Sequence, residues 1–244
     1  MFRLIDRGDV PGYLAFCEGR MLGAVLYTRL LAYGAGDRNV MFWFARDPEG
    51  CAAASLCDGV FTADYDNPEY YGEVCAFGSF LGAAEIVTPE YFTRKGFAVM
   101  RYEGSSSHTE AEDISPEQLK AVYDVLYEDE LSSEPNNKSS KLIYGSWLTD
   151  ISHKLRHGLI HGKCIEADGR IVSAALTSGE TSSSAVLSGV ATLRAYRGLG
   201  HARKSVGALS AELSAGGKTV YAAVRPELTD FYNRLGFHFW ENRS

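Results

Sequence analysis

The chain has 244 residues, 31 Asp and Glu against 24 Lys and Arg, a formal charge of −7, 45% hydrophobic residues and 23% charged. That apolar fraction suits a folded core and excludes collagen-like, low-complexity and disordered chains, while domains of about 100–150 residues allow one large domain or two small ones. The acidic balance gives no electrostatic reason for nucleic-acid binding, and no apolar run approaches the roughly 18–20 residues that span a bilayer.

The opening MFRLIDRGDVPGYLAF carries charges where a signal peptide needs an apolar stretch, so the expected location is cytoplasmic, with no membrane partner. Strands are expected at Asn39–Ala45, Cys51–Cys57 and Val60–Tyr65, separated by a turn at Arg46–Gly50 and a hairpin turn at Asp58-Gly59. A helical stretch over Glu69–Leu81, a strand at Ala84–Val87, a short helix at Glu90–Lys95 and a strand at Phe97–Tyr102 complete the first half. The polar run GSSSHTEAED, residues 104–113, reads as a linker and divides the chain near residue 108.

Ser115-Pro116-Glu117-Gln118 matches a capping box with proline at the first helical position, and Leu119, Val122, Tyr123 and Leu126 recur at helical spacing, so a helix is expected over 116–129. SSEPNNKSSK, from Ser132 to Lys141, reads as a surface loop, and Trp147–His157 as a helix stopped by Gly158. A hairpin comes next, Lys163–Glu166 and Ile171–Thr177 about the turn Ala167–Arg170; a second turn at Gly179-Glu180-Thr181 leads into a strand at Ala185–Thr192. Beyond Leu193–Gly200 comes a helix with Ala202, Val206, Leu209 and Leu213 inward, ended by Gly216-Gly217. A strand at Thr219–Val224, a helix at Glu227–Leu235 and a strand at Phe237–Trp240 close the chain. Hairpin-linked strands followed by helical crossovers indicate a mixed α/β sheet. The first half shows the same order, and Tyr91–Phe97 (YFTRKGF) echoes Phe231–Phe237 (FYNRLGF).

The chemistry is concentrated in Arg197-Gly198-Leu199-Gly200-His201-Ala202, between a strand and a helix. Glycines there let the backbone approach an anion, and unpaired amides at the helix start point at it with the positive dipole end behind them. The segment is neither a P-loop nor G-x-G-x-x-G, since Arg203 stands where the third glycine belongs. It fits R-x-x-G-x-A.

Gly189-Val190-Ala191-Thr192, the run from Tyr196 to Ala202, and Phe231–Phe237 together resemble the GNAT superfamily of acetyl-CoA-dependent N-acetyltransferases, over about residues 113–244. The resemblance implies an α/β (α+β) acyl-CoA N-acyltransferase fold, with acetyl-CoA as co-substrate. Its pyrophosphate would lie on the amides of Gly198, Leu199, Gly200, His201, Ala202 and Arg203, beside Arg197. Val190, Ala191 and Thr192 would pair with the pantetheine arm, and a backbone amide near Thr192 would hold the oxyanion of a directly attacked thioester. Arg203 and Lys204 could add charge pairing. Tyr232 matches the family tyrosine that protonates the departing thiolate, a task suited to a phenol with a pKa of about 10. One departure is Arg225, where the family often carries Asn.

No general base is evident. The strand Ala185–Thr192 holds no acid, and Glu166 and Glu180 read as solvated surface residues. Five scattered cysteines with no C-x-x-C pair argue against a disulfide framework and against zinc, and Cys164 has no evident base to make it a nucleophile. His153, His157 and His161 recur every four residues, but Gly158 interrupts their helix, so no metal is expected. In the first half, the corresponding turn Asp64–Glu69 lacks paired glycines, and its three carboxylates would repel a diphosphate.

The expectation is therefore a tandem GNAT arrangement. Residues 1–108 form a degenerate GNAT-like domain that walls the substrate cleft, and residues 109–244 transfer acetyl to a primary amine of a small molecule or peptide. An acyl-CoA sensor, or an interaction module with a vestigial site, is the alternative.

Overall fold

The computed structural model describes residues 2–104, 110–128 and 138–240. Among them the first half runs β1 (Arg3–Leu4), α1 (Val10–Cys17), α2 (Met21–Tyr33), β2 (Val40–Asp47), β3 (Gly50–Cys57), β4 (Val60–Tyr65), α3 (Tyr71–Phe80), β5 (Glu85–Val87), α4 (Pro89–Arg94) and β6 (Ala98–Tyr102). The second half runs β7 (Glu112–Asp113), α5 (Leu119–Leu126), α6 (Lys138–Arg156), β8 (Gly162–Ala167), β9 (Arg170–Glu180), β10 (Ser184–Thr192), α7 (His201–Ala215), β11 (Thr219–Val224), α8 (Thr229–Asn233) and β12 (Phe237–Phe239). Among the described residues the two series match term for term: a strand, two helices, three strands, then helix, strand, helix, strand.

Packing divides the chain into two compact units: residues 1–103, 179–186 and 218–244 in the first, and 104–178 with 187–217 in the second. The division expected near residue 108 is one of chain order; by packing, two later segments belong with the N-terminal residues. Strands β9 and β10 contribute to both units.

The first unit contains a five-stranded sheet, β1-β2-β3-β4-β5, antiparallel except for the parallel pair β4–β5. Its hairpin turn, Asp58 and Gly59, has both residues at positive φ (49° and 77°), as a two-residue turn of this hand demands. One face of the sheet packs Tyr13, Leu26, Phe42 and Phe44, and the other Trp43, Phe61 and Val74. In the same unit β6 lies between β12 and β11, antiparallel to both. The strand expected at Phe97–Tyr102 thus leaves the sheet of its own half. Thr28 ties the end of β9 to α2, its hydroxyl donating to the Glu180 carbonyl (3.1 Å) and accepting from the Glu180 amide (2.8 Å).

The second unit carries β7-β8-β9 and the remainder of β10. The β8–β9 turn again puts Asp168 (φ 51°) and Gly169 (φ 71°) in the left-handed region. Ser115 and Gln118 form the expected capping box, and Leu119, Val122 and Val125 of α5 pack on Cys164, Ala174 and Leu176.

Three expectations need correction. Helix α6 begins at Lys138, so 138–141 of the expected loop are helical, while 132–137 lie outside the described residues. Strand β9 continues through Gly179 and Glu180, where a turn was expected. Glu180 is buried rather than solvated, and Lys218 Nζ pairs with its carboxylate at 2.6 Å.

Gly179 permits the close approach of β9 to α2: a Cβ there would sit 2.5 Å from the Ala24 carbonyl oxygen and 2.6 Å from Val25 Cα. Both are backbone atoms and cannot swing aside. Gly179→Ala is expected to cost about 2 kcal/mol, read as a fall in Tm of about 4–8 °C. Gly72→Ala, in open space on α3, should not lower Tm.

Candidate functional site

In the second unit, β10 changes character at Gly189, whose φ of +52° interrupts the extended backbone. Ser184–Leu187 are buried, Gly189 is exposed, and Val190 and Ala191 are half-buried. A positive-φ glycine within a strand is a typical device for re-aiming the residues beyond it. The end of the strand is then fixed by hydroxyls. Thr192 Oγ1 donates to Ser173 Oγ (2.9 Å), Ser173 donates to the Ala191 carbonyl (3.1 Å), and Ser205 Oγ of α7 lies 3.2 Å from Ser173 Oγ.

Between β10 and α7 the chain makes a short 3-10 turn, Arg194–Tyr196. Glu128 accepts the Arg194 amide (2.7 Å), Tyr196 donates its phenol to Asp168 (2.7 Å), and Arg197 Nε reaches back to the Thr192 carbonyl (3.0 Å). Arg197 thus braces the loop from behind. Gly198 and Gly200 come next, at φ +80° and +85°. A Cβ on either would meet nothing within 4 Å, so glycine is required by conformation and not by space.

Gly200 is the N-cap of α7 and supplies no side chain to bond the helix amides. The Lys204 amide bonds the Gly200 carbonyl (3.2 Å), and the amides of His201, Ala202 and Arg203 precede this first helical bond. They face outward from a 15-residue helix whose dipole is positive at this end. Residues 197–200, Arg203 and Lys204 are exposed. His201 Nδ1 is buried without a hydrogen-bond partner, a polar atom left costly inside the loop. The donor set fits a diphosphate.

The corresponding place in the first half is built differently. Between β4 and α3 the side chain of Asn67 accepts the Glu69 amide (3.0 Å), closing off the start of the turn. Asp64 faces inward, buried, accepting from Arg20 Nη1 (3.1 Å) and the Gly23 amide (3.0 Å). The repulsion expected from three carboxylates therefore cannot include Asp64. The capping asparagine was the signal that distinguishes the two turns.

Tyr232 lies on α8 in the first unit, 7% exposed, edge-on to Phe231 (5.2 Å) and Phe237 (5.3 Å). Burial alone pushes its phenol up to about 12, so it remains protonated across the neutral range. The Cys164 thiol is buried and pushed up to about 11, chiefly by burial and then by Glu112, Glu166 and Asp113, so it offers no thiolate. Glu166 is exposed. His153 on α6 and His157 just beyond its end lie 4.5 Å apart with their rings tilted at 55°, and His161 lies beyond Gly158 at φ +63°. Among the described residues no three His, Cys, Asp or Glu side chains group closely enough to hold a metal ion. No described helix is long and apolar enough to cross a membrane.

This strand, glycine turn and uncapped helix lie within a match to the sequence model of the Acetyltransferase (GNAT) family, over residues 119–237. The GNAT fold is also seen in solved structures similar to this chain. An acetyltransferase from the GNAT family of Colwellia psychrerythraea is 12% identical, with a TM-score of 0.51 over 98% of this chain and 96% of that one. A GCN5-related N-acetyltransferase from Kribbella flavida is 13% identical, with a TM-score of 0.50 over 91% and 93%. The chain covers 60% of a GNAT-family protein from Novosphingobium aromaticivorans, at 18% identity and a TM-score of 0.44 over 59% of this chain. No curated protein matches the sequence.

Because the methyl group of Gly200→Ala has room, its cost is the left-handed backbone alone, about 1–2 kcal/mol. Chemical denaturation should return that value; a much larger loss would mean that the loop carries packing as well.

Proposed function

We propose that the chain is an acetyl-CoA-dependent N-acetyltransferase acting on a primary amine. The observation that carries this reading is the uncapped, glycine-led N-terminus of α7, set directly after the half-exposed end of β10. When bound, acetyl-CoA supplies the activated acyl group and a thiolate leaving group. The amides of residues 198–203 hold its diphosphate, with the exposed Arg203 and Lys204 adding charge. Val190, Ala191 and Thr192 give the backbone edge that pairs with the pantetheine arm, and the hydroxyl set of Thr192, Ser173 and Ser205 keeps that edge still. Tyr232 donates the proton to the leaving sulfur, a role its neutral phenol allows. Strand β10 brings no carboxylate, so the amine loses its proton before it attacks or to a group elsewhere.

We also read the two halves as tandem copies of one GNAT-like unit, on the strength of their matching element series and the YFTRKGF and FYNRLGF segments. In this reading the first copy has lost its diphosphate turn, which Asn67 now caps. A cytoplasmic location accords with such an activity.

A binding-only acyl-CoA sensor draws support from the packing of Tyr232 between Phe231 and Phe237, which gives the residue a purely structural use. Tyr232→Phe separates the two. As a transferase the variant loses about 10²-fold in kcat, measured as thiol release over a panel of amines, while its Kd for acetyl-CoA stays within about twofold. Unchanged turnover, or none in either protein, favours the sensor. With the phenol pushed up to about 12, the alkaline limb of kcat should not bend downward below about pH 10.

A further inference from the structure

The glycine turn before α7 has little of its own to hold it in one shape. Residues 197–200 are exposed, and a Cβ added at Gly198 or Gly200 would meet nothing within 4 Å. Glycine samples many backbone states, so amides needed in a single arrangement must be fixed by contacts outside the turn. Tyr196 is the one residue among 194–200 whose side chain is half-buried. Its surroundings all lie in the second unit.

The β8–β9 hairpin grips this ring. The Leu193 amide donates to the Val172 carbonyl (2.9 Å), so the chain leaves the sheet beside the first residues of β9. Further on, the Tyr196 phenol donates to the Asp168 carboxylate (2.7 Å) at the hairpin tip. The tip is itself fixed, a two-residue turn of Asp168 and Gly169 closed by the Ala167–Arg170 pair. Arg170 completes the set: its Nη2 donates to the same phenol oxygen (3.3 Å), and its guanidinium lies 5.0 Å from the centre of the Tyr196 ring. On the other side, the Tyr196 ring lies 6.1 Å from that of His201, the first residue of α7. One ring thus links the hairpin tip to the residue that opens the helix.

Two effects of Asp168 oppose each other. Its carboxylate repels a diphosphate, but the residue is exposed, and such a charge is screened over about 8 Å at physiological salt. The same carboxylate fixes the phenol through a hydrogen bond to an ionised acceptor, the stronger kind, and Arg170 offsets part of its charge. Positioning therefore outweighs repulsion. We propose that Tyr196, gripped by Asp168 and Arg170, is the positioning residue of the diphosphate turn: it sets the affinity for acetyl-CoA and leaves the acyl-transfer step alone. The proposal rests on the reading that acetyl-CoA binds at this turn.

Calorimetric titration of acetyl-CoA into the full chain, with thiol release measured at saturating acetyl-CoA, tests this. Tyr196→Phe keeps the ring and its contact with Arg170 but removes the donor to Asp168. It is expected to weaken binding about fivefold, with kcat within about twofold of the unaltered chain and Tm unchanged. In Asp168→Asn the amide oxygen still accepts from the phenol, and asparagine tolerates the left-handed backbone, so binding should weaken only about twofold. Tighter binding by Asp168→Asn would mean that repulsion wins and would overturn the proposal. So would a fall in Tm that accompanies the loss in Tyr196→Phe, because the residue would then only hold the fold. An unaltered chain that binds acetyl-CoA, beside a Tyr196→Phe variant that binds it equally well, overturns this proposal alone. An unaltered chain that does not bind acetyl-CoA overturns the transferase reading and this proposal with it.

Discussion

Strand β6 is the constraint on which the first unit depends. It runs antiparallel between β11 and β12, aligning Val99 with Ala223 and Arg101 with both Tyr221 and His238. An interior strand satisfies amides and carbonyls on both edges, so removing it would leave two separated strands with unpaired backbone. Residues from the N-terminal half are thus an integral part of the sheet that carries β11 and β12. The consequence reaches the candidate acid. Tyr102 of β6 pairs with Phe237 and lies 5.2 Å from its ring, and Phe237 in turn lies edge-on to Tyr232. The N-terminal half therefore helps to set the burial that keeps this phenol protonated.

The two halves share an element series yet present opposite chemistry at corresponding places. After β10 the chain leaves a helix start open, led by Gly200 with no capping side chain. After β4 the side chain of Asn67 caps the 3-10 turn Pro68–Tyr70 that precedes α3, and the carboxylates nearby are turned inward or held by backbone amides. A side-chain cap and an anion compete for the same amides, and in the first half Asn67 takes the Glu69 amide of the turn itself.

Much of this was legible in the sequence where local chemistry fixes local structure. The Asp-Gly turns at 58–59 and 168–169, the capping box at Ser115 and the glycine pair before α7 all arise from backbone demands within a few residues. The features that escaped depend on partners distant in the chain. Helix α2, MLGAVLYTRLLAY, is apolar on nearly every side and opens without a side-chain cap, so neither an amphipathic period nor a start signal marks it. Glu180 reads as part of a turn, but its carboxylate meets Lys218 across 38 residues of sequence. The exchange of β6 leaves no trace in the text of that strand, because a strand's alternation does not say which sheet it joins.

In the proposed reading, a chain with two GNAT-like series carries one working acetyl-CoA site, in the turn before α7. Titration of acetyl-CoA into the full chain, followed by calorimetry, measures this directly. One molecule bound per chain, with binding abolished when Gly198 and Gly200 are both replaced by valine, is the expected result. Two molecules per chain, or a single one that survives the double replacement, would contradict it.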